Sequence, residues 1–297
     1  VVVIMETELW PSLIHGAKNR DIKLLLVNGR LSQKSVNHYQ KLSWLVKPTL
    51  ACFDLITTQS DDNKQNFNLI GAPYNKVKTL GNLKYDIGLT DDVLQKVEAL
   101  KQHQLSEKRF WVVGSSHPAD ENLILDTFTK LIKEFPQLIL VLVPRHPERF
   151  DKVAQQLNER GFNTVRRSSG GFIQANTQVW LVDTLGELLA FYALADICTV
   201  AGSFSDIGGH NPLEPALFAK PIVAGPDMAN FADMTSKLES ANAIVKLTQN
   251  EDLYDKVSLL LTKPNIAQDL GKSAHAVVLE NQGATANTIT HLKQLID

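Results

Sequence analysis

The sequence predicts an α/β protein of two Rossmann-like domains with parallel sheets, the first domain incomplete. Three observations point there. Short, continuously apolar runs such as 24–27 and 138–143 alternate with longer amphipathic stretches, the pattern of strands covered on both faces and joined by helices. The length of 297 residues fits two domains of ordinary size. The alternation lapses once, in a polar stretch of helical pattern ending near residue 108, and then starts again.

Residues 1–5 read as a strand, and 11–19 as a helix opened by Pro11, whose missing N–H is no loss at a first helical position. A strand at 22–27 leads to a helix at 35–46 that Pro48 ends. A strand at 53–57 leads to a helix at 60–70, with Ser60 as its cap and a glycine as its stop. The strand at 76–80 completes about four βα units. The second half runs strand 110–113, helix 119–135, strand 138–143, helix 148–160, strands 163–165 and 178–182, helix 185–193 and strand 197–200. A helix at 211–219, strands at 221–224 and 243–245, and helices from 250 onward complete it. This gives a first domain over 1–95, a linker over 96–108, and a second domain over 109–297 whose last helix is free to pack back on the first. The opening run looks like an internal strand with no starting methionine, so the chain reads as a fragment lacking its upstream part.

Apolar residues at 44% and charged residues at 21% are globular values and exclude disordered and fibrous classes. A net charge of -2 argues against a broad nucleic-acid surface. Cys52 and Cys198 lie far apart in apolar segments and read as core residues. No run approaches the ~18 apolar residues of a membrane span, and no signal peptide is visible. The histidines show no metal spacing, so no metal site and no cofactor are expected; His15, His38, His103, His275 and His291 read as solvated.

The richest segment, 201–216, follows a strand and opens a helix. Gly202, Gly208 and Gly209 let backbone approach a ligand, Asn211 can cap the helix, and free N–H groups at its start attract phosphate. For Glu214 two readings stand: half of a capping box with Asn211, or a carboxylate gripping ribose hydroxyls. The pattern is neither G-x-G-x-x-G nor a P-loop. Arg145 and His146 sit where a strand ends, as a phosphate-pairing cation or as a surface charge cluster. The 114–118 loop offers Ser115 and Ser116 to a phosphate or sugar, or is a plain helix entry. The 183–187 segment is open in the same way: a ligand loop, or Asp183 as a helix cap and Glu187 as a first-turn charge. In the first half, Glu6 and Glu8 follow a strand and, two residues apart, can share a face as a general base or as hydroxyl ligands. Asn28, Arg30 and Ser32 again follow a strand, with Arg30 either an anion contact or a surface residue.

Together the segments ETELWP (6–11), NGRLS (28–32), GNLKYD (81–86), GSSHPADE (114–121), VPRHPERF (143–150), VWLVDTLGEL (179–188), GGHNPLEPA (208–216) and GPDMANF (225–231) resemble the Kdo (3-deoxy-D-manno-octulosonic acid) transferase family, in family order over nearly the whole chain. The resemblance implies the two-Rossmann glycosyltransferase fold called GT-B. It implies transfer of Kdo from CMP-Kdo to a lipid A precursor in lipopolysaccharide inner-core synthesis, at the cytoplasmic face of the bacterial inner membrane, with no metal, cofactor or nucleic acid. It places CMP in the carboxyl-terminal domain, at Ser115, Ser116, His117, Arg145, His146, Gly208, Gly209, His210, Asn211, Glu214, Asn230 and Phe231. Glu6 and Glu8 are then the catalytic candidates present, with Asn28, Arg30 and Ser32 on the acceptor side.

The sequence departs from the family in one respect. The family opens with a membrane-anchoring segment and an Ala-Ser-x-Gly-Glu type loop holding the usual base, and neither is in this sequence. CMP binding with little or no transfer is therefore expected of this chain. The competing readings are another GT-B enzyme or an epimerase using a UDP-sugar, and a non-catalytic sugar-nucleotide-binding protein.

Overall fold

The structure is a computed structural model that describes residues 1–102, 107–171 and 173–296. The chain forms two compact units, Val1–Ile87 together with the chain from Leu279 on, and Gly88–Val278.

The first unit contains β1 (Val2–Met5), α1 (Pro11–Lys18), β2 (Leu24–Gly29), α2 (Gln33–Lys41), α3 (Ser43–Ala51), β3 (Leu55–Thr58), α4 (Asp61–Leu69) and β4 (Val77–Thr79). The strands pair in parallel in the order β1-β2-β3-β4. All of β2 is buried, and Leu24, Leu26, Ile56 and Phe67 pack with Ile14, Leu50 and Phe53 as the main core. β1 lies at the sheet edge, with Ile4 buried and Val3 and Met5 exposed, the period-2 alternation of a strand covered on one face.

The expected stop at Pro48 is not there. Helices α2 and α3 meet at Leu42, whose backbone leaves helical geometry, and α3 runs through Pro48 to Ala51. The proline removes one N–H, but it lies on the exposed side, as does Trp44, whose carbonyl it leaves without that partner.

The second unit contains α5 (Asp91–Lys101), β5 (Arg109–Ser116), α6 (Pro118–Glu134), β6 (Leu138–Pro144), α7 (Phe150–Glu159), β7 (Thr164–Arg166), β8 (Val179–Leu181), α8 (Leu188–Leu194) and β9 (Ile197–Val200). It continues through α9 (Leu213–Ala216), β10 (Ile222–Ala224), α10 (Ala232–Ser240), β11 (Val245–Lys246) and α11 (Leu253–Thr262). Its parallel sheet has the order β11-β10-β9-β5-β6-β8-β7. From β5 the chain moves outward through β6, then returns to β9 on the other side of β5. This reversal opens a crevice beyond the carboxyl ends of the central strands. Helix α12 (Pro264–Asn281) runs across the unit boundary, and α13 (Ala284–Ile296) belongs to the first unit, where Leu292 and Leu295 pack on Leu25, Val27 and Leu55.

The stretch expected as a polar, helical linker over 96–108 begins inside helix α5, whose Val97 and Leu100 lie on one face and join the core around Phe191 and Leu194. Two expectations change here. The helix expected at 211–219 shrinks to the four residues of α9. Pro212 and Pro215 withhold N–H groups, and Ala219 turns left-handed at φ 52. Helix α10 follows a glycine- and proline-bearing turn and is not foreshadowed by the alternation.

Candidate functional site

A cavity of ≈ 410 Å³ lies in the second unit, lined by Ser115, Arg145, Gly186, Leu188, Leu189, His210, Asn211, Glu214 and Phe231. These residues stand at or just beyond the carboxyl ends of β5, β6, β8, β9 and β10, in the crevice that the strand order creates.

Close backbone approach shapes its walls. A methyl group on Gly114 would lie 2.0 Å from the Tyr192 hydroxyl oxygen, so β5 can pass there only without a side chain. The next residue, Ser115, is left-handed (φ 60), and the register shifts between Gly114 and Ser116. The Gly209 N–H donates to the Gly202 carbonyl at 2.8 Å and folds the loop after β9 back on itself. A side chain on Gly209 would meet the Met228 sulfur at 2.4 Å. The Asn230 amide donates to the Ile207 carbonyl at 2.7 Å and braces that loop from outside.

A second set of contacts fixes the loop after β8. The Asp183 carboxylate accepts from the Ser168 N–H, the Ser168 hydroxyl and Arg166, the last at 2.6 Å. Burial alone would raise Asp183, but these hydrogen bonds and the Arg166 charge hold it below the ordinary value. Glu187 pairs with Arg167 at 2.8 Å and accepts from the Thr184 hydroxyl. The segment carrying Gly186, Leu188 and Leu189 is thereby tied to the turn after β7.

Residues 1–87 match the family profile of 3-Deoxy-D-manno-octulosonic-acid transferase (kdotransferase). A 3-deoxy-D-manno-octulosonic acid transferase of Haemophilus influenzae is 34% identical over 296 residues, 99% of this chain and 69% of the relative. The chain belongs to the Kdo transferase family, a family of glycosyltransferases.

The Bordetella pertussis transferase is 30% identical over 98% of this chain and 68% of its own length. For that of Rickettsia typhi the figures are 33%, 89% and 56%, so the chain spans little more than half of that relative. Among solved structures, the C-terminal CMP-Kdo binding domain of WaaA from Acinetobacter baumannii is 34% identical with a TM-score of 0.59, covering 63% of this chain and 97% of that one. The S. aureus MnaA–UDP co-structure, 14% identical with a TM-score of 0.57 over 99% of this chain and 75% of its own, shares the fold alone. The architecture is the two-Rossmann one of the GT-B class.

The structure sorts the positions that the Kdo transferase motifs mark. Ser115, Arg145, His210, Asn211, Glu214 and Phe231 line one cavity. Asn211 also accepts from the Leu213 N–H at 3.1 Å, so capping and facing the cavity are compatible. Gly208, Gly209 and Asn230 shape the loop and are not part of the lining. His117 stands behind His210 rather than in the wall, their Nε2 atoms 2.8 Å apart. His146 is exposed, edge-on to His117 and 3.7 Å from Glu148. Ser116 is a correction: the register shift turns it inward, fully buried, where its hydroxyl donates to Glu121.

In the first unit Glu6 and Glu8 do not share a strand face. β1 ends at Met5 and Glu6 is left-handed (φ 56), so strand alternation no longer applies. Glu6 lies 3.4 Å from Lys84, and Glu8 accepts from the Trp10 indole at 2.7 Å. Ser32 is the cap of α2. Asn28 is buried, and its side chain accepts from the Leu83 N–H, which leaves that oxygen engaged in the fold. Arg30 is half-buried. His15 is not solvated as expected but sits between Thr49 and Cys52, and His275 meets the Ala216 carbonyl; His103 lies outside the described residues. Among the described residues no group of three or more His, Cys, Asp and Glu is arranged to hold a metal, and no helix is long and apolar enough to cross a membrane.

Two buried carboxylates behind the loop after β5, Asp120 and Glu121, carry no functional signal in the sequence. Asp120 accepts from the His117 and Gly202 N–H groups, and Glu121 pairs with Arg149 at 2.5 Å. Their place in the first turn of a helix suggests only a favourable dipole contact; the burial comes from partners distant in sequence.

The cavity is electrostatically poised. Burial pushes Glu214 up to about 7, with Arg145 pulling it part of the way back. Burial lowers His210 to about 4, helped by His117, Arg145 and His146. The native Glu214 carboxyl thus holds its proton more tightly than the unfolded one. Its contribution to stability is full below the ordinary 4.5, declines as pH rises, and is gone above about 7. Glu214→Gln abolishes that decline. The stability difference between variant and wild type is expected to grow from pH 5 to pH 8 by roughly 3 kcal/mol at most. Denaturant unfolding at both pH values measures it, and a pH-independent difference contradicts it.

Proposed function

We propose that the second unit binds CMP-Kdo and that the chain serves Kdo transfer to a lipid A precursor of the lipid IVA type, in lipopolysaccharide inner-core synthesis at the cytoplasmic face of the inner membrane. The supporting observation is a single cavity lined together by Arg145 of the 143–150 motif and by Asn211 and Glu214 of the 208–216 motif. It lies in the unit that is similar to a CMP-Kdo binding domain.

The chemistry asks little of a metal. An acceptor hydroxyl attacks the anomeric carbon of Kdo, the bond from that carbon to the phosphate oxygen breaks, and CMP departs with the electron pair. The hydroxyl proton passes to a base. On this reading Arg145, at the mouth of β6, pairs with the phosphate and stabilises the charge gathering there as CMP leaves. Glu214 accepts from ribose hydroxyls, which favours its ionised form once the nucleotide is bound. Leu188, Leu189 and Phe231 give the nucleoside an apolar surface.

Calorimetric titration with CMP, and with UMP as comparison, tests this. CMP is expected to bind clearly more tightly than UMP, and Arg145→Ala to weaken CMP by roughly ten- to a hundredfold. Equal or tighter UMP binding assigns the site to a UDP-sugar enzyme. A folded protein that binds neither refutes the donor site.

A further inference from the structure

His210 is the only histidine in the cavity wall among the described residues, and it does not act alone. Its Nε2 lies 2.8 Å from Nε2 of His117, which is buried behind it. The ring planes are 7° apart with centroids 5.1 Å apart, so the rings meet edge to edge, as an in-plane hydrogen bond requires. Two neutral imidazoles can make this bond in only one way. One donates from Nε2–H, and the other accepts at Nε2 and therefore carries its proton on Nδ1.

The surroundings hold the pair in place. One oxygen of Asp120 accepts from the backbone N–H of His117 at 3.0 Å and from that of Gly202 at 2.7 Å, tying together the loops that bear the two rings. A side chain on Gly202 would press on the His210 ring at 2.9 Å. His146 lies edge-on to His117, with centroids 5.3 Å apart.

We propose that His117 is a positioning residue: it shares one proton with His210, fixes the His210 tautomer at the cavity wall, and lets the pair take up a proton when a nucleotide phosphate enters. The identity of that anion rests on the donor-site reading above; the shared proton does not.

The charges facing the pair agree with this. Arg145, His146 and Arg149 from the β6 side and the burial of both rings favour neutral imidazoles in the free protein, against Asp120 beneath His117. Glu214 of α9 shares the cavity and titrates near neutrality, so it must be controlled for. A phosphate charge at contact distance shifts a proton equilibrium by on the order of a thousandfold at protein-surface screening, enough to bring the pair into the neutral range.

Long-range imidazole 1H–15N spectra of the ligand-free protein at pH 7.5 test the first half. Two neutral rings are expected, one protonated on Nε2 and one on Nδ1. His117→Leu should leave the His210 ring averaging between tautomers, and His117→Gln should restore a single one. CMP calorimetry at the same pH, in buffers of different ionisation heat, tests the second half. Net uptake is expected in the wild type and in Glu214→Gln, and is expected to be lost in His117→Leu. Two rings that titrate independently in the free protein overturn the proposal whatever CMP does. CMP binding with an unchanged proton count in His117→Leu overturns it as well. A fixed tautomer pair in a protein that does not bind CMP supports the shared proton and refutes the donor-site reading instead.

Discussion

Arg149→Ala is expected to destabilise the second unit by about 3–5 kcal/mol. Glu121 is 1% exposed, and its carboxylate meets Arg149 at 2.5 Å and the Ser116 hydroxyl at 3.4 Å. Removing the guanidinium leaves a buried charge with one weak neutral donor. The cost lies in that stranded carboxylate rather than in the worth of the pair. Replacing both partners with apolar residues of similar volume, Arg149→Leu with Glu121→Met, should therefore recover most of the loss. Urea unfolding of the single and double variants checks this. A single variant within 1 kcal/mol of wild type would show that the pair is solvated in solution. The pair also stands under the loop after β5, so the single variant should lose CMP affinity along with stability.

Asp120→Ala should have a comparable effect by a different route. Two backbone N–H groups, of His117 and Gly202, converge on one oxygen of a fully buried carboxylate. Each N–H left without a partner costs about 1–3 kcal/mol, so the loss is about 2–6 kcal/mol in total. Asp120→Asn keeps an acceptor without the charge and should fall between. The loops after β5 and β9 then lose their common anchor, and CMP should bind at least tenfold more weakly even where the protein remains folded. Unfolding and calorimetry on the same samples separate the two effects. A stable alanine variant with unchanged CMP affinity would show that the carboxylate anchors neither loop.

Much of this was legible in the sequence. The apolar runs marked the strands closely, the 197–200 strand to the residue, because a strand covered on both faces must be apolar throughout. The motif residues Arg145, Asn211 and Glu214 come together because Arg145 directly follows β6 and the other two lie on the loop and helix that leave β9, and parallel strands place all such connections at one end of the sheet. Errors arose where a local signal was read without its surroundings. Pro48 reads as a stop, but its missing hydrogen bond falls on a solvated face.

The sequence by itself determined the alternating architecture, the family and the loops in which the site lies, because these depend on periodicity and on short contiguous motifs. Tertiary structure alone decided which side chains of those loops face the cavity and which are engaged in building it. A one-residue register shift at Gly114 turned Ser115 outward and Ser116 inward. Contacts across 28, 82 and 93 positions set Glu121 against Arg149, Asp120 against Gly202, and His117 against His210. The energies of such contacts come from burial and from partners that no local pattern encodes, so a polar residue's role stayed open until the fold showed what it faces.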